Sequence, residues 1–136
     1  MLGKCVAEFP DSPYMAQTLY EQGWALQNLG KPDEAMALYA KVIATSNAEP
    51  AARAQFMIGQ IQFDQRKHAE AIKSFFKVSY GYDYPQWQAD ATYEAGRCFE
   101  VMDKKAQAVR QYRQLIEKYP DSDKVPLAKE RVGQLE

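Results

Sequence analysis

Small and aromatic apolar residues recur at fixed spacing along the chain. Gly23, Gly59, Gly96 and Gly133 lie 36, 37 and 37 residues apart. Each of the first three glycines is followed twelve residues later by an alanine, and four residues after that by an aromatic residue. The alanines are Ala35, Ala71 and Ala108, and the aromatic residues are Tyr39, Phe75 and Tyr112. Such an internal repeat determines the fold class before any single residue does.

The pattern predicts three pairs of packed helices. A glycine on one helix and an alanine on the next let two backbones approach closely, and the aromatic residue lies on the same helical face as the alanine. The first helices are predicted over residues 14–29, 50–65 and 86–102, and the second helices over residues 33–45, 68–80 and 105–118. Their connections of two or three residues fit only antiparallel hairpins. Gly30 is predicted to cap the first helix, and Pro32 to start the second.

The two ends of the chain repeat one junction. Phe9-Pro10-Asp11-Ser12 returns 110 residues later as Tyr119-Pro120-Asp121-Ser122, so residues 4–9 are interpreted as the tail of an earlier second helix. Residues 124–135 are predicted to form a fourth first helix. The predicted units of this single domain are a preceding tail at 1–12, three repeats at 13–49, 50–85 and 86–122, and a capping or fourth first helix at 123–136.

The composition limits the functional classes to which the chain can belong. The chain has 136 residues and a net charge of −1, which gives no electrostatic footprint for nucleic acid or an anionic membrane. No apolar run reaches the length of a membrane span. Met1 runs directly into repeat sequence without a signal peptide. Because half a repeat precedes the first full one, we expect Met1 to be a truncation point.

Candidate catalytic or metal-binding chemistry is sparse. His68 is the only histidine, and no cysteine or carboxylate is spaced to complete a metal site with it. Acidic pairs such as Asp33-Glu34 stand at helix starts, where the helix dipole accounts for them. Every periodic glycine lies inside a predicted helix, which excludes a phosphate-binding loop. We therefore expect no catalysis, no cofactor and no metal.

The two cysteines, Cys5 and Cys98, fall in different repeats. Stacked repeats contact only their neighbours, so we expect the two sulfurs to lie beyond disulfide distance. Cys98 is predicted to be a small core residue. Cys5, near an open end, is a candidate for reaction or for an intermolecular bridge. This usage fits a reducing compartment without requiring one, and the sequence leaves the compartment open between cytoplasm and periplasm or cell envelope.

The repeat resembles the tetratricopeptide repeat family over essentially the full chain. That family places Gly at position eight, Ala at twenty, an aromatic residue at twenty-four and often Pro at thirty-two, as this chain does at Gly96, Ala108, Tyr112 and Pro120. The resemblance implies an all-α fold, an α-solenoid of antiparallel helix pairs wound as a right-handed superhelix. Position four, commonly Trp in the family, is Leu19, Gln55 and Thr92 here, and the period is two or three residues longer than usual.

The resemblance also implies a ligand-binding groove lined by the first helices, at positions two, five, nine, twelve and thirteen of each repeat. In this chain those positions are Gln17, Tyr20, Trp24, Gln27 and Asn28 in the first repeat, Arg53, Phe56, Gln60, Phe63 and Asp64 in the second, and Asp90, Tyr93, Arg97, Glu100 and Val101 in the third.

Two interpretations of the groove rings stay open. Tyr20, Phe56 and Tyr93 occupy one position in all three repeats and form either an aromatic ladder for a peptide or packing between repeats. The better candidates for specificity are residues that vary between repeats, which are Trp24, Arg53, Gln60 and Arg97. A chaperone-type carboxylate clamp is argued against, since its basic and amide positions are Tyr20, Trp24, Asp90 and Glu94 here.

A run of four aromatic residues, from Tyr80 to Trp87, lies at one junction. It is either an exposed contact patch or, the interpretation we favour, a cover over the core between two repeats. The phrase from Phe9 to Tyr14 is similar to junctions of bacterial envelope members of the family, including the periplasmic Tol-Pal-associated factor and the lipoprotein of outer-membrane barrel assembly.

The sequence therefore predicts a non-catalytic module that binds a peptide or protein segment in its groove, within a larger scaffold protein. The expected partner is a protein, with no nucleic acid and no direct membrane insertion. The alternative is a structural unit that assembles with further copies through the open ends of the array.

Overall fold

A computed structural model describes residues 13–46 and 48–136, and those residues form seven α-helices and no strand. The helices are α1 Pro13–Asn28, α2 Pro32–Thr45, α3 Glu49–Asp64, α4 His68–Gly81, α5 Pro85–Val101, α6 Lys105–Lys118 and α7 Val125–Leu135. Each predicted helix boundary lies within one residue of the observed one. The predicted tail at residues 1–12, and Cys5 with it, lies outside the described residues.

The helices pack in chain order, each against the next. The first helices of successive pairs also contact one another, α1 with α3 and α3 with α5. This arrangement is the predicted helical solenoid, in which the first helices form one continuous side of the array. None of the helices in the described part of the chain is long and apolar enough to cross a membrane.

The periodic glycines fit against the periodic rings. A Cβ atom added to Gly59 would lie 2.6 Å from Cε1 of Phe75, and one added to Gly96 would lie 2.5 Å from Cε1 of Tyr112. Gly23 faces Tyr39 in the same way, at 2.8 Å. Each ring therefore occupies the space that a side chain on the first helix would need. The predicted close approach of the paired helices is confirmed.

The three hairpin turns share one backbone conformation. Gly30, Arg66 and Asp103 occupy the same register and have φ angles of 80°, 64° and 60°. At the first turn the Lys31 amide donates to the Leu26 carbonyl at 2.9 Å, and the other two turns close with the equivalent bond. This is the Schellman pattern, in which a residue in the left-handed region ends a helix. Only the first turn places glycine there.

The apolar core follows the repeats in three clusters, which lie among α1 to α3, around α4 and α5, and among α5 to α7. Cys98 lies in the second cluster with no exposed surface, as predicted. Burial raises the pKa of its thiol to about 12, which keeps the sulfur protonated and unreactive at neutral pH.

Candidate functional site

The rings at position five pack on the second helix of their own repeat. Tyr20 lies 5.6 Å from Tyr39 between ring centroids, Phe56 lies 5.4 Å from Phe75, and Tyr93 lies 5.6 Å from Tyr112. All three pairs are tilted, a geometry that is favourable between aromatic rings. The rings therefore form a regular series along the first helices, and each one is anchored from behind.

Each of these rings is also contacted by the next repeat. The guanidinium carbon of Arg53 lies 4.6 Å from the centroid of Tyr20. The ring of Trp87 lies 5.4 Å from Phe56, and the ammonium of Lys124 lies 5.5 Å from Tyr93. Trp87 and Lys124 hold equivalent positions at the start of successive first helices. Packing between repeats thus covers part of the aromatic series, and only 8 % of the Tyr20 surface is exposed.

Arg53 joins three repeats. Its guanidinium stacks on Tyr20 of the first repeat and lies 5.9 Å from the ring of Trp87 in the third. Its Nη1 atom is 3.8 Å from a carboxylate oxygen of Glu49. Its buried Nε atom has no hydrogen-bond partner among the described residues. An arginine stacked on aromatic faces is held in place while its outer N–H groups stay available.

In the first and third repeats, the residue at position twelve accepts a hydrogen bond from the ring hydroxyl behind the groove. The Tyr39 hydroxyl donates to Oε1 of Gln27 at 2.9 Å, and the Tyr112 hydroxyl donates to Glu100. In the second repeat the ring is Phe75, which has no hydroxyl, and position twelve is the apolar Phe63. Gln27 and Glu100, both predicted to face a ligand, therefore already hold a buried hydroxyl. Burial raises the pKa of Tyr39 and, together with Glu100, that of Tyr112.

Glu100 is the centre of a network between the third repeat and α7. The Nε atom of Arg131 donates to it at 3.1 Å, and a second guanidinium nitrogen also pairs with it. Burial alone would raise the pKa of Glu100, but hydrogen bonds from Arg131 and Tyr112, together with the positive charges of Arg131 and Arg97, outweigh burial and lower it. Arg131 was not among the predicted groove residues. Its position in α7, which the sequence predicts to be the first helix of a fourth repeat, could have identified it.

A small depression of about 200 Å³ lies beside this network, between α5 and α7. Its lining consists of Tyr93, Arg97, Glu100, Val101 and Arg131. Four of these five belong to the predicted groove of the third repeat, so the structure brings them together at one place.

Arg97 connects the second and third repeats. It pairs with both carboxylate oxygens of Glu94, at 2.7 and 3.0 Å, and its guanidinium lies 4.9 Å from the Phe63 centroid. Its side chain is 43 % exposed. Arg97 is therefore a fixed cation whose outer edge faces solvent.

Asp90 is a desolvated carboxylate near the start of α5. Burial raises its pKa to about 6, Lys124 opposes this shift, and Asp123 and Glu94 add to it. The group therefore binds a proton far more readily than an exposed aspartate does.

The remaining predicted groove residues differ in exposure. Trp24 is 53 % exposed, and Asn28 and Asp64 are exposed as well. Gln60 is half-buried, and Gln17 donates to Glu21 at 3.3 Å. Val101 is 55 % exposed. Trp24 and Val101 are therefore the exposed apolar side chains among the predicted groove residues.

The structure also defines the contacts of His68 and of the aromatic run from Tyr80 to Trp87. His68 packs edge-on against Phe63, with 5.1 Å between centroids, and no cluster of metal-ligating side chains occurs within the described ranges. The aromatic run divides between its two interpretations. Trp87 covers Phe56, whereas Tyr80 is 62 % exposed and accepts a hydrogen bond from Gln114.

Comparison with known proteins gives a consistent picture. Family models described as tetratricopeptide repeat match residues 20–91 and 90–122. None of the curated proteins matches the chain.

Three solved structures have the same fold. MamA aligns with a TM-score of 0.70 at 20 % identity, covering 98 % of this chain and 72 % of its own. PilF of Pseudomonas aeruginosa aligns at 0.76 and 21 % identity, covering 98 % and 56 %. A putative kinesin light chain with repeats of this type, from Podospora anserina, aligns at 0.71 and 15 % identity, covering 98 % and 74 %.

Proposed function

The chain belongs to the tetratricopeptide repeat family, and we propose that it binds a peptide or protein segment along its first helices, as a non-catalytic module of a larger scaffold protein. Repeats of this family generally mediate protein–protein interactions, and its members are typically non-catalytic. The binding surface proposed here runs from Trp24 across Arg53 to Arg97.

The observation that carries this proposal is the pairing of fixed cations with rings along one side of the array. Arg53 and Arg97 are stacked on Tyr20 and Phe63, so their positions cost little entropy on binding. Trp24 adds a large exposed apolar surface at one end. Aromatic and arginine side chains of this kind dominate the binding energy of protein interfaces.

A capture experiment tests this proposal. The chain and a variant with Trp24→Ala and Arg97→Ala serve as baits in lysate of the source cell, after circular dichroism has shown equal helicity. The matched control removes two long side chains from α6, Lys105→Ala and Arg110→Ala. We expect partners that the chain and the control retain and the groove variant loses. Identical captures by all three baits would contradict the proposal.

A second function is favoured by one observation on α7. Gly133 lies in register with three glycines that each receive a ring, yet no described atom lies within 4 Å of the Cβ it would carry. We propose that this face of α7 receives a helix from another copy of the array. Sedimentation velocity between about 5 and 200 μM tests this assembly, which must depend on concentration and weaken with Gly133→Leu.

A further inference from the structure

A shallow depression of about 650 Å³ lies among α2, α3, α4 and the segment that follows α4. Ile43, Phe76, Tyr80 and Tyr82 supply its apolar lining, and Gln55, Lys73 and Lys77 its polar lining. None of these residues belongs to the predicted groove positions. The depression is therefore a separate surface of the molecule.

Gln55 gives this depression a polar group that lacks a partner. Only 6 % of the Gln55 surface is exposed. None of the hydrogen bonds between described residues involves its amide, whereas Ser74, a buried neighbour in the same repeat, donates to Gln62. Neither amide atom of Gln55 is among the fully enclosed polar atoms without a partner, so the amide reaches the open depression. A ligand that offers both a donor and an acceptor can pair with it there.

The equivalent residues of the other repeats leave no such group. Leu19 stands in the same register in the first repeat and is an apolar core residue. Thr92 stands there in the third repeat, where its hydroxyl donates to the Gln88 carbonyl at 2.8 Å and lies 3.2 Å from the Ser79 hydroxyl. At this register position, only the second repeat has a polar side chain without a hydrogen bond to another described residue, and that side chain lines an open depression. The feature therefore distinguishes the second repeat from the other two.

Two ammonium groups stand at the same depression. Lys73 and Lys77 are one turn apart on α4, and both are exposed. All four ion pairs between described residues are formed by arginines, so neither lysine takes part in one. Two free cations at this spacing match carboxylates that are four residues apart on a helix.

The first and second helices differ in net charge. Helices α2, α4 and α6 together carry seven Lys or Arg and four Asp or Glu residues, a net charge of +3. Helices α1, α3 and α5 carry two basic and six acidic residues, a net charge of −4. The positive excess belongs to α6, because α2 and α4 together carry three basic and three acidic residues. An acidic partner is therefore repelled by the first helices, and at the depression it is attracted by Lys73 and Lys77 themselves.

The apolar lining completes the site. Phe76 and Tyr80 meet edge to face at 5.7 Å, and Tyr80 is largely exposed. These rings offer contact area to an apolar side chain that lies between two carboxylates. We propose that the depression is a second docking surface, which binds an acidic amphipathic segment of a partner protein. The backbone or an amide of that segment pairs with Gln55, its carboxylates pair with Lys73 and Lys77, and its apolar side chains lie against Phe76 and Tyr80.

Fluorescence anisotropy with two labelled peptides tests the proposal on the whole chain. The probe is a fifteen-residue peptide with glutamates spaced four apart and leucines on the same face, and its counterpart replaces every glutamate by lysine. We expect the acidic peptide to bind at least tenfold more tightly than the basic one. In two-dimensional NMR the side-chain amide signal of Gln55 should move when the acidic peptide is added.

Matched variants locate the binding. The double variant Lys73→Glu with Lys77→Glu should weaken binding of the acidic peptide at least tenfold. The control Lys105→Glu with Arg110→Glu on α6 makes the same change of charge and should alter binding less than twofold. Gln55→Leu should weaken binding about fivefold without lowering the melting temperature, because the amide that it removes makes no hydrogen bond to another described residue. An unchanged melting temperature separates a lost contact from a damaged fold.

Three outcomes would overturn the proposal. They are equal binding of the two peptides, an equal loss in the α6 control, and an acidic peptide that does not bind below 1 mM. The groove variant Trp24→Ala with Arg97→Ala should bind the acidic peptide normally, so failure at this surface and failure at the groove are distinguishable.

Discussion

At the scale of single residues, polar groups are matched across each helix pair at a separation of twelve. Tyr39 donates to Gln27, and Tyr112 donates to Glu100. Where the ring lacks a hydroxyl, as in Phe75, its counterpart is Phe63. In all three pairs the residue at position twelve therefore matches the polarity of the ring behind it. This pairing can be read from the sequence once the helix register is known.

The glycines give a residue-scale prediction with an internal control. Gly59→Ala should lower the free energy of unfolding by about 2 kcal/mol, because the added Cβ would stand 2.6 Å from the Phe75 ring. Gly133→Ala should raise it by about 0.5 kcal/mol, because nothing lies within 4 Å and alanine favours a helix. Urea denaturation measures both. Equal effects at the two positions would refute the ring contact as the reason for the periodic glycine.

Asp90 gives a pH-dependent prediction. Burial raises its pKa from 3.8 to about 6, so the folded state binds the proton more tightly than the unfolded state does. Its stabilising contribution is complete below about pH 4 and is lost as the pH rises through 6. Asp90→Asn should therefore stabilise the protein at pH 7.5, by about 1 kcal/mol after allowance for partial exposure, and leave it unchanged at pH 4. Thermal melts at both pH values measure this, and a gain of the same size at pH 4 would contradict the assignment.

At the scale of elements, each hairpin turn requires a residue in the left-handed region. The sequence signalled this only at Gly30, whereas Arg66 and Asp103 adopt the same conformation without the residue that favours it. The reason is tertiary: the packing of each helix pair fixes the turn, and the chain accepts local strain at two of the three turns.

Arg66→Gly should consequently raise the free energy of unfolding by about 0.5 kcal/mol, since relief of backbone strain exceeds the extra entropy of glycine in the unfolded chain. The gain at Asp103→Gly should be smaller, because aspartate tolerates this region better than arginine. Arg110→Gly, inside α6, is the control and should lower the free energy of unfolding by about 1 kcal/mol. Chemical denaturation decides the matter, and a loss of stability with Arg66→Gly would exclude strain at that turn.

At the scale of the whole molecule, side chains from one repeat cover rings of another. Arg53 lies over Tyr20 and near Trp87, so it connects three repeats. In a solenoid, where each unit contacts only its neighbours, such contacts provide the coupling that makes the repeats unfold together.

A double-mutant cycle measures this coupling. Arg53→Ala and Tyr20→Leu should each destabilise the chain, and the two together should lose less than the sum, with a coupling energy of about 0.5 to 1 kcal/mol. Arg110→Ala with Tyr20→Leu is the control and should show none. A coupling as small as that of the control would mean that the rings are covered without a specific contribution from the cation.

Charge is distributed unevenly among the helices of the array. The net charge of −1 conceals a charge of −4 on α1, α3 and α5 and of +3 on α6, whereas α2 and α4 together are neutral. The sequence contains those charges, but only the tertiary structure assigns each helix to one side of the solenoid.

The sequence by itself determined the helices, their pairing and the family, because the spacing of Gly23, Ala35 and Tyr39 and their repeats expresses a contact that is local along the chain. Tertiary structure decided what the groove side chains do. Gln27 and Glu100 turned out to hold ring hydroxyls, and Arg53, Trp87 and Lys124 cover rings of the preceding repeat. Those contacts join residues that are far apart in the chain, and only the stacking of repeats sets their distances.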